Sequence, residues 1–166
     1  MRDLAAMGAR AGELLKQRGE KIVVAETSAG GLISASLLAV PGASAYYVGG
    51  AITYSARAIR GLVDLSLKDL REQGIRSSSE PYAQLLANAI RAKHGAITWA
   101  LAETGAAGPQ GNPYGDPAGH SCIAICGPLD RVMTLRTGVD DRVANMWAFA
   151  QASLAFLVQA LEEAPS

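Results

Sequence analysis

Residues 22–38 spell a strand, a glycine-rich turn and a helix in immediate succession. Ile22-Val23-Val24-Ala25 is an apolar, β-branched run of the kind that forms a buried strand. Leu32-Ile33-Ser34-Ala35-Ser36-Leu37-Leu38 has helical character, and Glu26-Thr27-Ser28-Ala29-Gly30-Gly31 joins the two. Such a turn gathers bare backbone N–H groups at a helix N-terminus, which is a ready anion site. A second small-residue segment, Thr104-Gly105-Ala106-Ala107-Gly108-Pro109-Gln110-Gly111, follows another strand-like run. Two such loops in one small chain suggest a pocket for a phosphate-bearing ligand. Two tight turns with no ligand are the competing reading.

Strands alternating with helices imply an α/β fold, a single layered α/β/α domain over 1–166 with a mixed sheet covered by helices. The spacing predicts helices at 3–18, 29–39, 55–63, 66–73, 80–94 and 140–162. It predicts strands at 21–25, 46–54 and 96–102, with an antiparallel pair at 120–127 and 130–137 turning at Gly127-Pro128-Leu129-Asp130. Ser77-Ser78-Ser79-Glu80-Pro81 is a helix-start signal, a hydroxyl cap with proline in the first turn. The segment 103–119 is a long Gly- and Pro-rich loop, either functional or mobile.

The chain has 166 residues, and its 15 basic and 15 acidic residues balance to a net charge of zero. That disfavours bulk attraction to nucleic acid or an anionic membrane. Cys122 and Cys126 would share one face of a strand about 13 Å apart, too far for a disulfide. They suit buried thiols in a reducing cytoplasm. With two histidines, His94 and His120, and no clustered ligand spacing, neither a metal nor another cofactor is expected. No signal peptide is visible. Val143 to Leu161 is uncharged and long enough to span a bilayer, but its alanine-rich, amide-bearing composition suits a buried or interface helix. Its apolar surface exceeds what one face requires, so a homo-oligomer is expected.

Several side chains could carry chemistry. Ser44, after Pro41-Gly42-Ala43, could be a nucleophile if a base lies within reach, or a turn cap. Tyr54 could polarise a carbonyl or be an ordinary strand-end tyrosine. Glu26 could orient an amide or ribose hydroxyl, or satisfy nearby backbone N–H groups. Thr104 could bind a ligand or cap a turn. His120 could serve as a base, or be structural.

In combination these motifs resemble the CinA C-terminal domain family, whose active members are nicotinamide mononucleotide deamidases. The family's Glu-Ser-Cys-Thr-Gly-Gly signature stands here as Glu26 to Gly31. Its Pro-Gly-Ser-Ser-aromatic-aromatic stretch and Thr-Tyr-Ser strand end match Pro41 to Tyr47 and Thr53-Tyr54-Ser55. Its Val-Ser-Glu helix start is echoed by Ser79-Glu80-Pro81. Its Thr-Gly-Ile-Ala-Gly-Pro loop is echoed by Thr104 to Pro109, and its Lys-Pro-Val-Gly-Thr strand entry by Asp116 to His120.

The resemblance implies a serine/lysine amidohydrolase that converts a nucleotide carboxamide to acid plus ammonia. It puts the nucleophile on Ser44, with Tyr54 and Thr104 assisting. It puts ligand binding on Glu26, Thr27, Ser28, Gly30, Gly31, Gly105, Gly108 and Arg142. The chain departs from the pattern at the base, because the family lysine falls on Ile59. The family's Gly-Asp-Arg run is altered to Gly138-Val139-Asp140-Asp141, with Arg142 available to compensate, and the strand-entry lysine is Asp116. Those changes leave His120 as the replacement base, or else imply an inactive or re-purposed member that binds a different small phosphorylated ligand or acts in an assembly. The expected partner is a small nucleotide or amide, with no nucleic acid and no membrane.

Overall fold

The computed structural model describes residues 2–95 and 97–165. The expected start of a strand at Ala96, and the chain ends Met1 and Ser166, lie outside the described residues. In chain order the elements are α1 (Arg2–Arg18), β1 (Ile22–Glu26), α2 (Leu32–Leu38), β2 (Tyr47–Ile52), α3 (Ala56–Val63), α4 (Leu67–Glu72), α5 (Glu80–Lys93), β3 (Trp99–Ala106), β4 (His120–Cys126), β5 (Arg131–Arg136) and α6 (Arg142–Glu163). A single 3-10 turn, Ala43–Ala45, precedes β2.

Among the described residues the sheet has the order β2-β1-β3-β4-β5. β1 pairs in parallel with both β2 and β3. β4 runs antiparallel to β3 and to β5. The period-two alternation of β1 and β3 divides the core. Ile22, Val24, Trp99 and Leu101 face α1, α2 and α6. Val23, Ala25, Ala100 and Ala102 face α3, α4 and α5. The result is the expected three-layer α/β/α domain with a mixed sheet.

Several elements follow local chemistry. Ser79 caps α5 by accepting the Tyr82 N–H, with Pro81 in the first turn. The β4–β5 hairpin closes through Asp130, whose carboxylate accepts the Gly127 N–H at 3.0 Å. Cys122 and Cys126 are free and buried. α6 is long and apolar enough to cross a bilayer by length and composition. It packs on α1 and the sheet through Phe149, Ala150, Leu154, Leu157, Ala160 and Leu161, so much of its apolar surface belongs to the core.

Two of the boundaries that differ from expectation shape the site. α2 begins at Leu32 rather than 29, because Gly30 and Gly31 take φ of 66° and 99° and hold the chain outside the helix. β3 runs on to Ala106, through residues expected in the long loop. Antiparallel pairing with β4 extends to Ala106 opposite His120 and draws Thr104 and Gly105 into the ladder. Gly105 permits that close approach, since a Cβ there would lie 2.3 Å from the His120 carbonyl oxygen.

Candidate functional site

The turn after β1 does collect backbone N–H groups, but the anions that fill it are the protein's own. Glu26, 1% exposed, turns back on the helix it precedes. Its carboxylate accepts the N–H groups of Gly31 at 2.9 Å, Ile33 at 3.1 Å and Ser34 at 2.7 Å, together with the Ser34 hydroxyl. Glu103, reaching across from β3, accepts the N–H groups of Ala29 at 2.8 Å and Thr27 at 3.1 Å. The helix N-terminus expected to bind a ligand's phosphate is therefore occupied by Glu26, which satisfies donors that α2 would otherwise leave orphaned. Gly30 and Gly31 do not line the cavity described next; Gly30 lies against Met146 and Gly31 serves Glu26.

The open space lies beside the turn, at the C-terminal ends of β1 and β3. There the chain leaves β1 toward one face of the sheet and reaches β3 from the other. Ligands in open α/β sheets settle at such switch points. A cavity of about 370 Å³ is bounded by Thr27, Ser28, Thr53, Tyr54 and Ile59 on one side and by Thr104–Ala107 on the other, with Tyr82, Tyr114 and Arg142 closing it. This volume falls within the range of small-molecule sites.

Each wall has a visible means of support. The Ser28 hydroxyl donates to the Gly105 carbonyl at 2.7 Å, joining the two glycine-rich segments. The Thr27 hydroxyl contacts the Thr53 hydroxyl at 3.3 Å. Arg142 stands at the first position of α6, just after the capping carboxylate of Asp141. Its guanidinium donates to the Gly108 carbonyl at 2.8 Å and to the Tyr54 hydroxyl at 3.1 Å. Among the described residues that line the cavity, it is the sole charged side chain. Tyr54 is 62% exposed at the rim, with its phenolic oxygen accepting from Arg142.

Not every expected residue arrives there. Ser44 sits exposed in the 3-10 turn before β2, whereas Tyr54 follows the end of that strand. About 17 Å of strand separates the two ends. Ser44 is thus held at the opposite end of the strands from Tyr54 and Thr104 and does not line the cavity. The hydroxyl-bearing residues of the signature turn that line it are Thr27, where the family pattern has serine, and Ser28. His120 is 3% exposed and also absent from the cavity wall. Its Nε2 bonds the Ser78 carbonyl at 2.8 Å and lies 3.6 Å from Asp116, so it buttresses the wall from behind. Ile59, where the family lysine is expected, lines the cavity from α3 at 5% exposure.

The sequence reading passed over the latch on the long loop. Arg76 donates to Asp116 at 2.9 Å, and Asn112 donates to the same carboxylate. Asp116 is therefore committed to an ion pair rather than standing as a lost cation in the cavity. Tyr82 also went unremarked. It lines the cavity, and its buried hydroxyl has no partner among the described residues. Burial pushes that phenol well above its ordinary range. Its place on the inward face of α5, just after the helix-start signal, was the available clue.

Comparison with known proteins identifies the same architecture. The model of the CinA C-terminal domain matches residues 4–161. A CinA-like protein of Prochlorococcus marinus (strain MIT 9313) is 40% identical over 116 residues, 70% of this chain and 26% of that protein. One from Chlorobium limicola (strain DSM 245) is 36% identical over 148 residues, 86% of this chain and 34% of that protein. The chain thus spans about a quarter to a third of the length of these curated relatives. Among solved structures, the competence-damaged protein (CinA) superfamily protein of Klebsiella pneumoniae 700603 superposes with a TM-score of 0.87 at 26% identity, covering 96% of this chain and 98% of that one. The competence/damage inducible protein CihA of Agrobacterium tumefaciens gives a TM-score of 0.83 at 26% identity, covering 97% and 96%.

Proposed function

This chain belongs to the CinA C-terminal domain family, and from that premise we propose that its cavity binds a pyridine nucleotide or a related phosphorylated carboxamide without the base needed to hydrolyse the amide efficiently. Arg142 supports the binding half of this reading. A guanidinium stays protonated, so beside Tyr54 it offers donors to a phosphate and cannot accept a proton. The hydroxyls of Thr27, Thr104 and Tyr54 suit a neutral carboxamide, which both donates and accepts.

The observation that carries the other half is Ile59 in the cavity wall. A hydroxyl is a weak nucleophile at neutral pH unless a neighbouring group takes its proton. Among the described residues lining the cavity there is no lysine and no histidine. Loss of a general base typically lowers the rate by roughly 10²–10⁴-fold.

Calorimetry with nicotinamide mononucleotide, run beside an ammonia-release assay, tests both halves. The expected result is saturable binding with ammonia release at the level of the buffer control, and ammonia release appearing in Ile59→Lys. Failure to bind at any concentration up to millimolar overturns the assignment of the ligand. Rapid ammonia release by the unaltered chain overturns the claim about the base.

A further inference from the structure

Glu103 is fully buried, yet it is joined to both walls of the cavity. Its Oε2 accepts two backbone N–H groups, those of Thr27 and Ala29. Its Oε1 accepts the Ser121 hydroxyl at 2.9 Å. Ser121 has a second acceptor in reach, the Thr104 carbonyl at 3.4 Å. Thr27 and Thr104 stand on opposite walls of the cavity. We infer that Glu103 and Ser121 form a proton-linked switch behind the cavity, which positions Thr27 and Thr104 and adjusts the affinity for an anionic ligand.

The two states differ by one proton from solvent. With Glu103 ionised, Ser121 donates to Oε1, and the carbonyl of Thr104, which is paired with Cys122 across the ladder, keeps a second lone pair within reach of the Ser121 hydroxyl. On protonation the proton goes to Oε1, because Oε2 already holds two N–H donors. Oε1–H then donates to the Ser121 oxygen, and the Ser121 proton turns to the Thr104 carbonyl. No bond other than O–H is made or broken. Removing a negative charge from behind Thr27 favours a phosphate in front of it.

The surroundings put this change near neutral pH. Burial pushes the Glu103 carboxyl up to about 7, with the Glu26 charge adding to the rise and the Ala29, Ser121 and Thr27 donors opposing it. Glu26 from β1 is the ionisable group that faces it. α2 carries no charged residue. β4 contributes Ser121, while the neighbouring His120 is turned to Ser78 on the other face of the sheet. At the start of α6, Arg142 is engaged with Gly108 and Tyr54, and Asn145 bonds the Ala107 and Val139 carbonyls.

Nuclear magnetic resonance titration of the ligand-free protein from pH 5 to 9 tests the switch. The Thr27 and Ala29 amides are expected to move with one midpoint near 7, shared with the Glu103 carboxyl carbon. In Glu103→Gln, which imitates the protonated acid, both amides should stay flat while the remaining spectrum keeps its dispersion. In Ser121→Ala the midpoint should rise, because the anion loses a donor. Flat amides in the unaltered chain, or titration that persists in Glu103→Gln, overturn the inference.

A second arm uses nicotinamide mononucleotide and rests on the ligand proposed above. Its affinity should be a few-fold tighter below the midpoint in the unaltered chain, and Glu103→Gln should remove that component. The ligand's own phosphate titrates in both proteins and so cancels from the comparison. Equal pH dependence in the two proteins overturns the link to affinity. Absence of binding at every pH overturns the ligand instead, and the amide titration still decides the switch.

Discussion

Between β1 and α2, residues 27–31 turn around two buried carboxylates. After β3, residues 107–114 turn around open space. The two segments are similar in composition, rich in glycine and small residues, and both begin at the end of a strand in the parallel half of the sheet. What separates them is the carboxylates nearby. Glu26 ends β1 and Glu103 stands beside it on β3, and between them they take the Thr27, Ala29 and Gly31 amides of the first turn. The second segment meets one carboxylate, Asp116, which takes the Asn112 side-chain amide and Arg76 rather than the backbone amides of the turn, and among the described residues the cavity wall carries one cation, Arg142. A glycine-rich turn shows where N–H groups converge, and the residues brought in from other strands decide whether a ligand or the protein itself satisfies them.

The largest expected break in this comparison is Glu26→Ala. It leaves three amides and a hydroxyl at the start of α2 without their charged acceptor, and should cost about 4 kcal/mol or more. Urea denaturation measures it, and a loss below about 1 kcal/mol would contradict the self-filled turn. Next is the pH dependence set by Glu103. In the folded chain it keeps its proton to about 7, whereas the unfolded chain releases it near the ordinary glutamate value of 4.5. Between those values the folded state binds more protons, so the stabilisation present at low pH is lost as pH rises through the window. The loss is about 3 kcal/mol. Glu103→Gln should flatten that component, and a matching slope in both proteins would refute it.

Arg142→Ala addresses the open segment. It should weaken nicotinamide mononucleotide binding by about tenfold or more, since it removes the cavity's charged donor. The melting transition should shift little, by less than about 1 kcal/mol. A large loss of stability with unchanged affinity would make Arg142 a strut for Gly108 rather than a ligand group. The smallest effect belongs to Ser44→Ala. The side chain is exposed and remote from the cavity, so affinity should stay unchanged and stability should move by no more than about 0.5 kcal/mol. Calorimetry showing weakened binding would bring Ser44 back into the site.

Much of the fold was legible because its signals are local. Ser79 and Pro81 announce α5, Asp130 closes a hairpin, and the apolar runs at 22–25 and 120–126 can only be central strands. The site was legible in part. Thr27, Ser28, Tyr54, Thr104, Gly105 and Arg142 line one cavity, and Gly108 is tied to its wall. Ser44 lies outside that cavity, since a turn before a parallel strand and a turn after it lie at opposite ends of the strand, and no local signal says which end is functional. His120 had the right chemistry for a base, but strand parity sent it behind the wall rather than into the cavity.

The sequence alone determined the element order, the family pattern and the absence of lysine at position 59, because each is carried by residue identity and spacing. Only the tertiary structure decided what fills the turn from Glu26 to Gly31. The five donors Thr27, Ala29, Gly31, Ile33 and Ser34 are satisfied by one carboxylate from within the motif and another from 77 positions beyond Glu26. Parallel pairing of β1 with β3 brings that second carboxylate in, and strand pairing over such a distance leaves no mark in the turn itself.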